Sequence, residues 1–190
     1  MKQDLAAAGL LHDWNNVLQT VTQAAALLAD DPQWAPLAHT LEAAALRGRA
    51  IAESLTEEPC TCDLRDIIDR AAAGSSIRLN ADLDGLCSTH GRPRALERVF
   101  INLLENSAAA GASSVFISGT AATLTIHDDG PGIPQDLLPR LFEPGVSGRG
   151  STGLGLHIVG SIIQAHGGTI TAENHPAGGA CFRICLPEKP

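Results

Sequence analysis

The chain of 190 residues is long enough for one large domain or two small ones, since domains usually hold about 100–150 residues. Hydrophobic residues make up 44% and mean hydropathy is +0.07, which supplies apolar material to offset the entropy of ordering and excludes general disorder. Thirteen Lys and Arg stand against 21 Asp and Glu, a net charge of −8, and no basic run could neutralise a row of phosphates, so nucleic acid is not the expected partner.

No stretch of about 18 unbroken apolar residues occurs, and Asp4 and His12 arrive too early for a signal peptide, so the chain reads as soluble and cytoplasmic without a membrane span. The five cysteines lack the paired spacing of a zinc ribbon and are expected to be reduced thiols. Glycine marks a boundary near residue 59: Gly9 and Gly48 precede it and the other seventeen follow. Before it, Leu11, Trp14, Leu18, Val21, Ala25 and Leu28 step by three and four, as do Trp34, Leu37, Leu41, Ala44, Gly48, Ile51 and Leu55. Asp30-Asp31-Pro32 and Pro36 interrupt the pattern, which predicts an antiparallel helical hairpin connected near residues 30–35. Two helices cannot enclose a core alone, so a homodimeric four-helix bundle follows. Between Leu5 and Ala29 the only formal charge is Asp13, consistent either with an alanine-rich face or with one that a partner covers.

Beyond Pro59 the pattern is mixed. A helix from Asp63 (N-cap) to Ala73, an extended SIRLNADL and a helix over Arg94–Ala110 come first. The alternating runs SVFISG and TLTIHD follow, parted by Thr120-Ala121-Ala122; then a Gly/Pro-rich stretch, a helix from about Leu154 to His166, and strands GTITAEN and CFRICLP around the turn Pro176-Ala177-Gly178-Gly179. The expected fold is α+β: the hairpin, then an α/β sandwich with helices on one face of a mixed sheet.

Three features carry chemistry. Asp128-Asp129-Gly130-Pro131-Gly132 places a carboxylate at a strand end beside backbone free of Cβ atoms. Seven glycines lie between residues 130 and 155, ending at a helix start whose N–H groups can hold phosphate oxygens. Asn102 and Asn106 share one face of an otherwise apolar helix, where an amide oxygen can bond backbone or serve as a hard ligand for Mg²⁺ beside phosphates. His157, just after the loop glycines, is either a packed residue or a phosphate contact; His39, His90, His166 and His175 show no ligand spacing.

The segments ERVFINLLENSAAAG, TIHDDGPGIP, LFEPGVSGR and STGLGLHIV, in this order, resemble the Asn, Asp-x-Gly-x-Gly, Phe and Gly-x-Gly boxes of bacterial two-component sensor histidine kinases, and LLHDWNNVLQTV resembles their phosphoacceptor box in its His-Asp-x-x-Asn form. The resemblance covers nearly the whole chain. It implies a dimerisation and histidine phosphotransfer domain over residues 1–58 and a catalytic ATP-binding domain of the histidine-kinase-like ATPase fold over 59–190. It further implies that His12 takes the γ-phosphoryl group, Asp13 accepts the imidazole proton and Asn16 orients a water for dephosphorylation. Asn106 would ligate Mg²⁺ with Asn102 supporting the phosphates, Asp128 would accept from the adenine amino group, and Gly130 and Gly132 would admit the base. Phe142 would anchor the ATP lid, Arg149 would be its basic residue, and Gly153 and Gly155 would cradle phosphates.

Ser151 stands where many relatives have the first glycine of the run, Ala109 where a basic residue is common, and the lid between Glu143 and Thr152 is short. No sensor or receiver sequence is expected beside the boxes within these 190 residues, so the signal is expected either from elsewhere or from another part of a longer kinase. The implied function is an ATP-dependent protein-histidine kinase, and possible phosphatase, acting on a response-regulator receiver domain. The alternatives are a phosphotransfer protein of the same build that does not use ATP, and a clamp ATPase, which would need a carboxylate base where this chain has Asn102.

Overall fold

The computed structural model describes residues 2–29, 31–38, 40–41, 44–45, 48, 52, 57–86, 88–121, 123–143, 145–146 and 155–187; for residues 2–12, 15 and 86 only the backbone is described. These residues fall into two compact units, Met1–Glu57 and Glu58–Pro190.

In the first unit α1 runs from Lys2 to Ala29. Residues 31–34 form a turn in which the Asp31 side chain accepts the Gln33 N–H, and residues 35–38, 40–41, 44–45, 48 and 52 are helical. Leu18 and Ala25 are buried on α1, and Ala38, Ala45 and Ala52 are buried opposite, at intervals of seven. This corrects the expected second seam: Trp34, Leu37 and Ala44 are exposed, and the buried row consists of small residues beside them. Alanine and Gly48 allow close backbone approach. The Leu18 side chain fills the position a Cβ on Gly48 would take, and Trp14 Nε1 donates to the Gly48 carbonyl at 3.4 Å. No helix among the described residues is long and apolar enough to cross a membrane.

The second unit has three helices, α2 (Leu64–Ala73), α3 (Pro93–Ala109) and α4 (Gly155–Ala165), and a five-stranded sheet of β2 (Arg78–Leu86), β4 (Ser114–Ala121), β5 (Thr123–Asp128), β6 (Thr169–Asn174) and β7 (Ala180–Cys185). A short pair of β1 (Cys60–Cys62) and β3 (Thr89–Gly91) lies outside that sheet and is not visible in the sequence pattern, because three residues are too few to show alternation. The sheet order is β2-β4-β5-β7-β6. β2 pairs parallel with β4, since α3 returns the chain between them, and the remaining pairs are antiparallel: tight turns join β4 to β5 and β6 to β7, whereas α4 and β6 lie between the neighbours β5 and β7.

Each helix shows why it starts where it does. Asp63 caps α2 by accepting the Arg65 N–H at 2.8 Å. Pro93 opens α3, and the preceding Arg92 N–H donates to His166 Nε2 at 3.0 Å, so a ring from the end of α4 supplies the acceptor that no local side chain provides. The expected break at Thr120-Ala121-Ala122 is tighter than predicted: β4 continues to Ala121, which turns the chain at φ +53°. Leu96, Val99, Phe100, Leu103 and Leu104 of α3 pack with Val159 and Ile163 of α4 and with Val115, Ile117, Leu124, Ile126, Phe182 and Ile184 of the sheet in one core. The strand burial alternates, so the helices cover a single face.

Between β6 and β7, Gly179 holds φ +88°, and a Cβ there would collide with the Asp128 carbonyl oxygen. We expect Gly179→Ala to cost at least about 2 kcal/mol, from left-handed strain plus the collision. Urea denaturation followed by circular dichroism checks this, and a midpoint equal to wild type would show that the turn relaxes freely.

Candidate functional site

The site begins at the end of β5. Asp128 is the last residue of the strand and is 4% exposed, because β4 and β7 flank it and α3 passes over it. A buried carboxylate must be met by donors. Its Oδ1 accepts the N–H groups of Gly130 and Ala180, both at 3.0 Å, and its Oδ2 accepts the Ser107 hydroxyl at 2.9 Å. Neighbouring Asp129 points the other way: its Oδ1 accepts Ser113 N–H at 2.7 Å and Ser114 N–H at 2.9 Å, which tie the end of β5 to the start of β4. Those two backbone bonds hold its pKa below the ordinary carboxylate value.

Asp128 opens onto a cavity of about 400 Å³ lined by Asn106, Ser107, Ala109, Asp128, Gly132, Ile133, Leu137, Leu141, Gly155 and Phe182 among others. The walls are mainly apolar with a few polar groups among them, the pattern of a small-molecule site. Gly132 holds φ +79°, and a Cβ on it would meet the Asn174 amide. Asn174 fixes this loop as a strand would: Ile133 N–H donates to its Oδ1 at 2.7 Å and its Nδ2 donates to the Ile133 carbonyl at 2.8 Å. Sequence reading missed Asn174, and the only signal was an asparagine ending a strand. A second depression of about 360 Å³ lies between α2 and α3, bordered by the Arg70–Glu97 ion pair, and holds none of the candidate site residues.

Asn102 and Asn106 meet the start of α4, and Asn106 and Gly155 line the main cavity. Asn102 is 3% exposed, and the Nδ2 atoms of both side chains are buried without a hydrogen-bond partner among the described residues. The amides of both lie within 4 Å of where a Cβ on Gly155 would sit. Two amides converging on a helix N-terminus, with their donors unspent, suit an oxygen-rich anion and a hard cation held with it. Phe142 packs against Gly160 of α4, and its carbonyl is 3.0 Å from His157 Nδ1. His157 therefore serves the anchoring of the segment before the lid.

The structure brings Asn102, Asn106, Asp128, Gly130, Gly132, Phe142 and Gly155 to one region. Arg149 and Gly153 lie outside the described residues, as do Ser151 and Thr152. Asp13 and Asn16 are exposed on α1, which also carries His12.

Behind the cavity the open sheet face carries a stack: the Phe116 and His127 ring centroids are 4.8 Å apart, and those of His127 and His175 4.5 Å apart, with the planes within 14°. Desolvation, then the nearby His175, lower the His127 pKa, and Asp128 opposes them. Cys181, opposite His127 on β7, has its thiol pKa raised by burial and by Glu173 and Asp128, against Arg183. Among the described residues no three His, Cys, Asp or Glu side chains converge as a metal-binding group.

With this geometry in place, comparison with known proteins is specific. The profile described as histidine kinase-, DNA gyrase B-, and HSP90-like ATPase matches residues 91–190, more than half of the chain. The chain belongs to this family, and within it to the sensor histidine kinases. It is 35% identical over 140 residues to the sensor histidine kinase component HK1 of Mycobacterium tuberculosis, covering 68% of this chain and 82% of that protein. It is 39% identical over 140 residues to the signal transduction histidine-protein kinase AfsQ2 of Streptomyces coelicolor and 37% identical over 155 residues to the sensory histidine kinase/phosphatase NtrB of Rhodobacter capsulatus. Those alignments take in 66% and 67% of this chain but only 26% and 43% of the relatives, so the chain spans less than half of their length. Among solved structures, the mycobacterial sensor histidine kinase MprB superposes with a TM-score of 0.59 at 27% identity, over 71% of this chain and 99% of that one. Full-length ShkA in complex with AMPPNP shares the fold over 97% of this chain and 47% of its own, with a TM-score of 0.65 at 19% identity.

Two outcomes follow from the site. Asp128→Asn turns one acceptor into a donor facing bonded N–H or O–H groups and should cost about 1–3 kcal/mol of ATP affinity by calorimetry, whereas Asn106→Asp, which adds negative charge beside the phosphates, should mainly slow phosphoryl transfer. Undiminished affinity in Asp128→Asn would remove it from the base site. For His127, a lowered folded pKa means that the unfolded chain protonates first, so its contribution to stability is fully present above about pH 6.5 and is lost as pH falls from there through the lower folded pKa. The facing groups are His175, Asp128 and Cys181. Denaturation midpoints should fall between pH 7.5 and 5.5, and His127→Phe, which keeps the stack, should flatten that fall.

Proposed function

We propose that the chain is an ATP-dependent protein-histidine kinase core that phosphorylates His12 and passes the phosphoryl group to an aspartate of a response-regulator receiver domain. The observation that carries the reading is a buried carboxylate and the Asn106 amide lining one cavity, with Asn102 and a helix N-terminus meeting Asn106 there, the amide donors of both asparagines unspent among the described residues. That set suits a purine at Asp128 and phosphates at Asn102, Asn106 and Gly155. The family and its sensor-kinase members support the same assignment.

In this mechanism Asp128 accepts a hydrogen bond from the adenine amino group, and Gly130 and Gly132 admit the base, Gly132 lying in the loop whose close packing on Asn174 its missing Cβ allows. Asn106 supplies an amide oxygen to Mg²⁺ and Asn102 supports the phosphates, aided by N–H groups at the start of α4 and by Gly153; Arg149 adds the basic group of the lid. Mg²⁺, when bound, neutralises phosphate charge. The donor set fits it, since neutral amide oxygens are hard ligands and the phosphates themselves supply the negative charge. Phosphoryl transfer depends mainly on in-line positioning, so the kinase needs the ATP unit to deliver the γ-phosphate to His12 with Asp13 receiving the imidazole proton.

We assign residues 1–58 to the dimerisation and phosphotransfer domain and 59–190 to the catalytic domain. Support for a homodimer is the apolar surface on the first unit, where Trp14, Val17, Leu27, Trp34 and Leu37 are all exposed. Asn16 lies one helical turn beyond His12, so both share a face of α1, and this favours a second activity, dephosphorylation of the regulator, with Asn16 orienting the water. The similarity to a kinase/phosphatase points the same way.

Incubation with γ-labelled ATP and Mg²⁺, with and without a receiver domain, tests the proposal. Wild type should carry an acid-labile, alkali-stable label; His12→Gln should lose it while binding ATP normally; and Asn16→Ala should keep both forward steps and lose phosphatase activity. Label retained in His12→Gln would move the acceptor elsewhere.

A further inference from the structure

Ser107 follows Asn106 on α3 and is 4% exposed. Hydroxyls elsewhere on helices of this chain bond the carbonyl one turn back, as Thr20 does to Asn16 and Thr22 to Leu18. Ser107 instead reaches 21 residues along the sequence to Asp128 Oδ2, and both residues line the nucleotide-sized cavity. Its single proton is committed to that bond, so the lone pairs of its Oγ remain free of that proton and available as acceptors.

The carboxylate is equally committed. Of about four lone-pair directions on a carboxylate, Oδ1 spends its two on Gly130 and Ala180, and Oδ2 spends one on Ser107. One acceptor direction on Oδ2 is left, beside the acceptor oxygen of Ser107. This end of the cavity therefore offers two neighbouring side-chain acceptors, and neither side chain can donate without breaking a buried bond.

We propose that Ser107 is a specificity-determining residue that, with Asp128, reads the exocyclic 6-amino group of a purine and rejects a 6-oxo purine. This rests on the nucleotide reading above. An amino group carries two hydrogens, one for each acceptor. A 6-oxo group would set its oxygen against both, and relief would require the Ser107 proton to turn away from Asp128 and leave a buried carboxylate oxygen short of a donor. Removing the hydroxyl removes one acceptor and opens room for a water, whose two protons can bridge Asp128 and a 6-oxo oxygen.

The experiment measures ADP and IDP affinities of the full chain by calorimetry with Mg²⁺, for wild type, Ser107→Ala and Ser107→Thr, with melting curves to confirm folding. IDP differs from ADP only in the 6-oxo group and its N1 proton. Wild type should prefer ADP by tenfold or more. Ser107→Ala should weaken ADP about three- to tenfold without weakening IDP, so the preference shrinks by that factor, and Ser107→Thr, which retains the hydroxyl, should restore it. Equal losses for both nucleotides in Ser107→Ala, or an unchanged ratio, would overturn the role of Ser107 while leaving Asp128 as the base reader. The same ratio in the Thr and Ala variants would also overturn it, because the hydroxyl would then not be the cause. A wild type indifferent between ADP and IDP would overturn the nucleotide reading itself.

Discussion

The buried Asp128 carboxylate is the junction on which the ATPase unit depends. Its three donors come from three places: Ser107 on α3, Gly130 in the following loop and Ala180 at the start of β7. Water is largely excluded from the group, so each donor is needed to offset desolvation, and each bond fixes one wall of the cavity relative to the others. Stability and the shape of the cavity depend on the same atoms. The network that makes the carboxylate tolerable in the core also decides how many of its lone pairs remain unspent.

The loop beyond Asp128 is ordered by backbone freedom and by one amide. Gly132 and Gly179 both adopt positive φ and lie close together, since a Cβ on Gly132 would lie 3.5 Å from the Gly179 carbonyl oxygen. Asn174 then closes the gap with a reciprocal pair of bonds to Ile133. Glycine gives the turn its close approach, and asparagine supplies the directional bonds that glycine cannot. The contact of α3 with the start of α4 is built on a different principle, because there Asn102 and Asn106 keep buried donors unspent among the described residues. Such groups are costly in an empty core and are repaid when an anion occupies the site.

The first unit follows the logic of helix packing with small residues. Ala38, Ala45 and Ala52 form a buried row, Leu18 and Ala25 are buried on α1, and Gly48 admits Leu18 closely enough for Trp14 to bond a backbone carbonyl. The larger apolar side chains, Trp34 and Leu37, are left outside that row. A hydropathy pattern ranks bulky residues as core, whereas close helix contact selects small ones, and this accounts for the displaced seam.

The sequence alone determined the longer helices and strands of the second unit to within a few positions and singled out its candidate site residues, because strong alternation in TLTIHD, an apolar stripe on α3 and ordered Asn, Asp and glycine boxes are local signals. It could not show β1 and β3, which are too short to carry a pattern, nor that β2 and β4 run parallel. Tertiary structure decided the rest: that Ser107 and Ala180 donate to Asp128, that Asn174 holds the Gly132 loop, that His166 completes the start of α3, and that Phe116, His127 and His175 stack. These pairings join residues 11 to 74 positions apart. No periodicity encodes them, since they exist only once the sheet register and the helix layer bring separate segments within hydrogen-bonding distance.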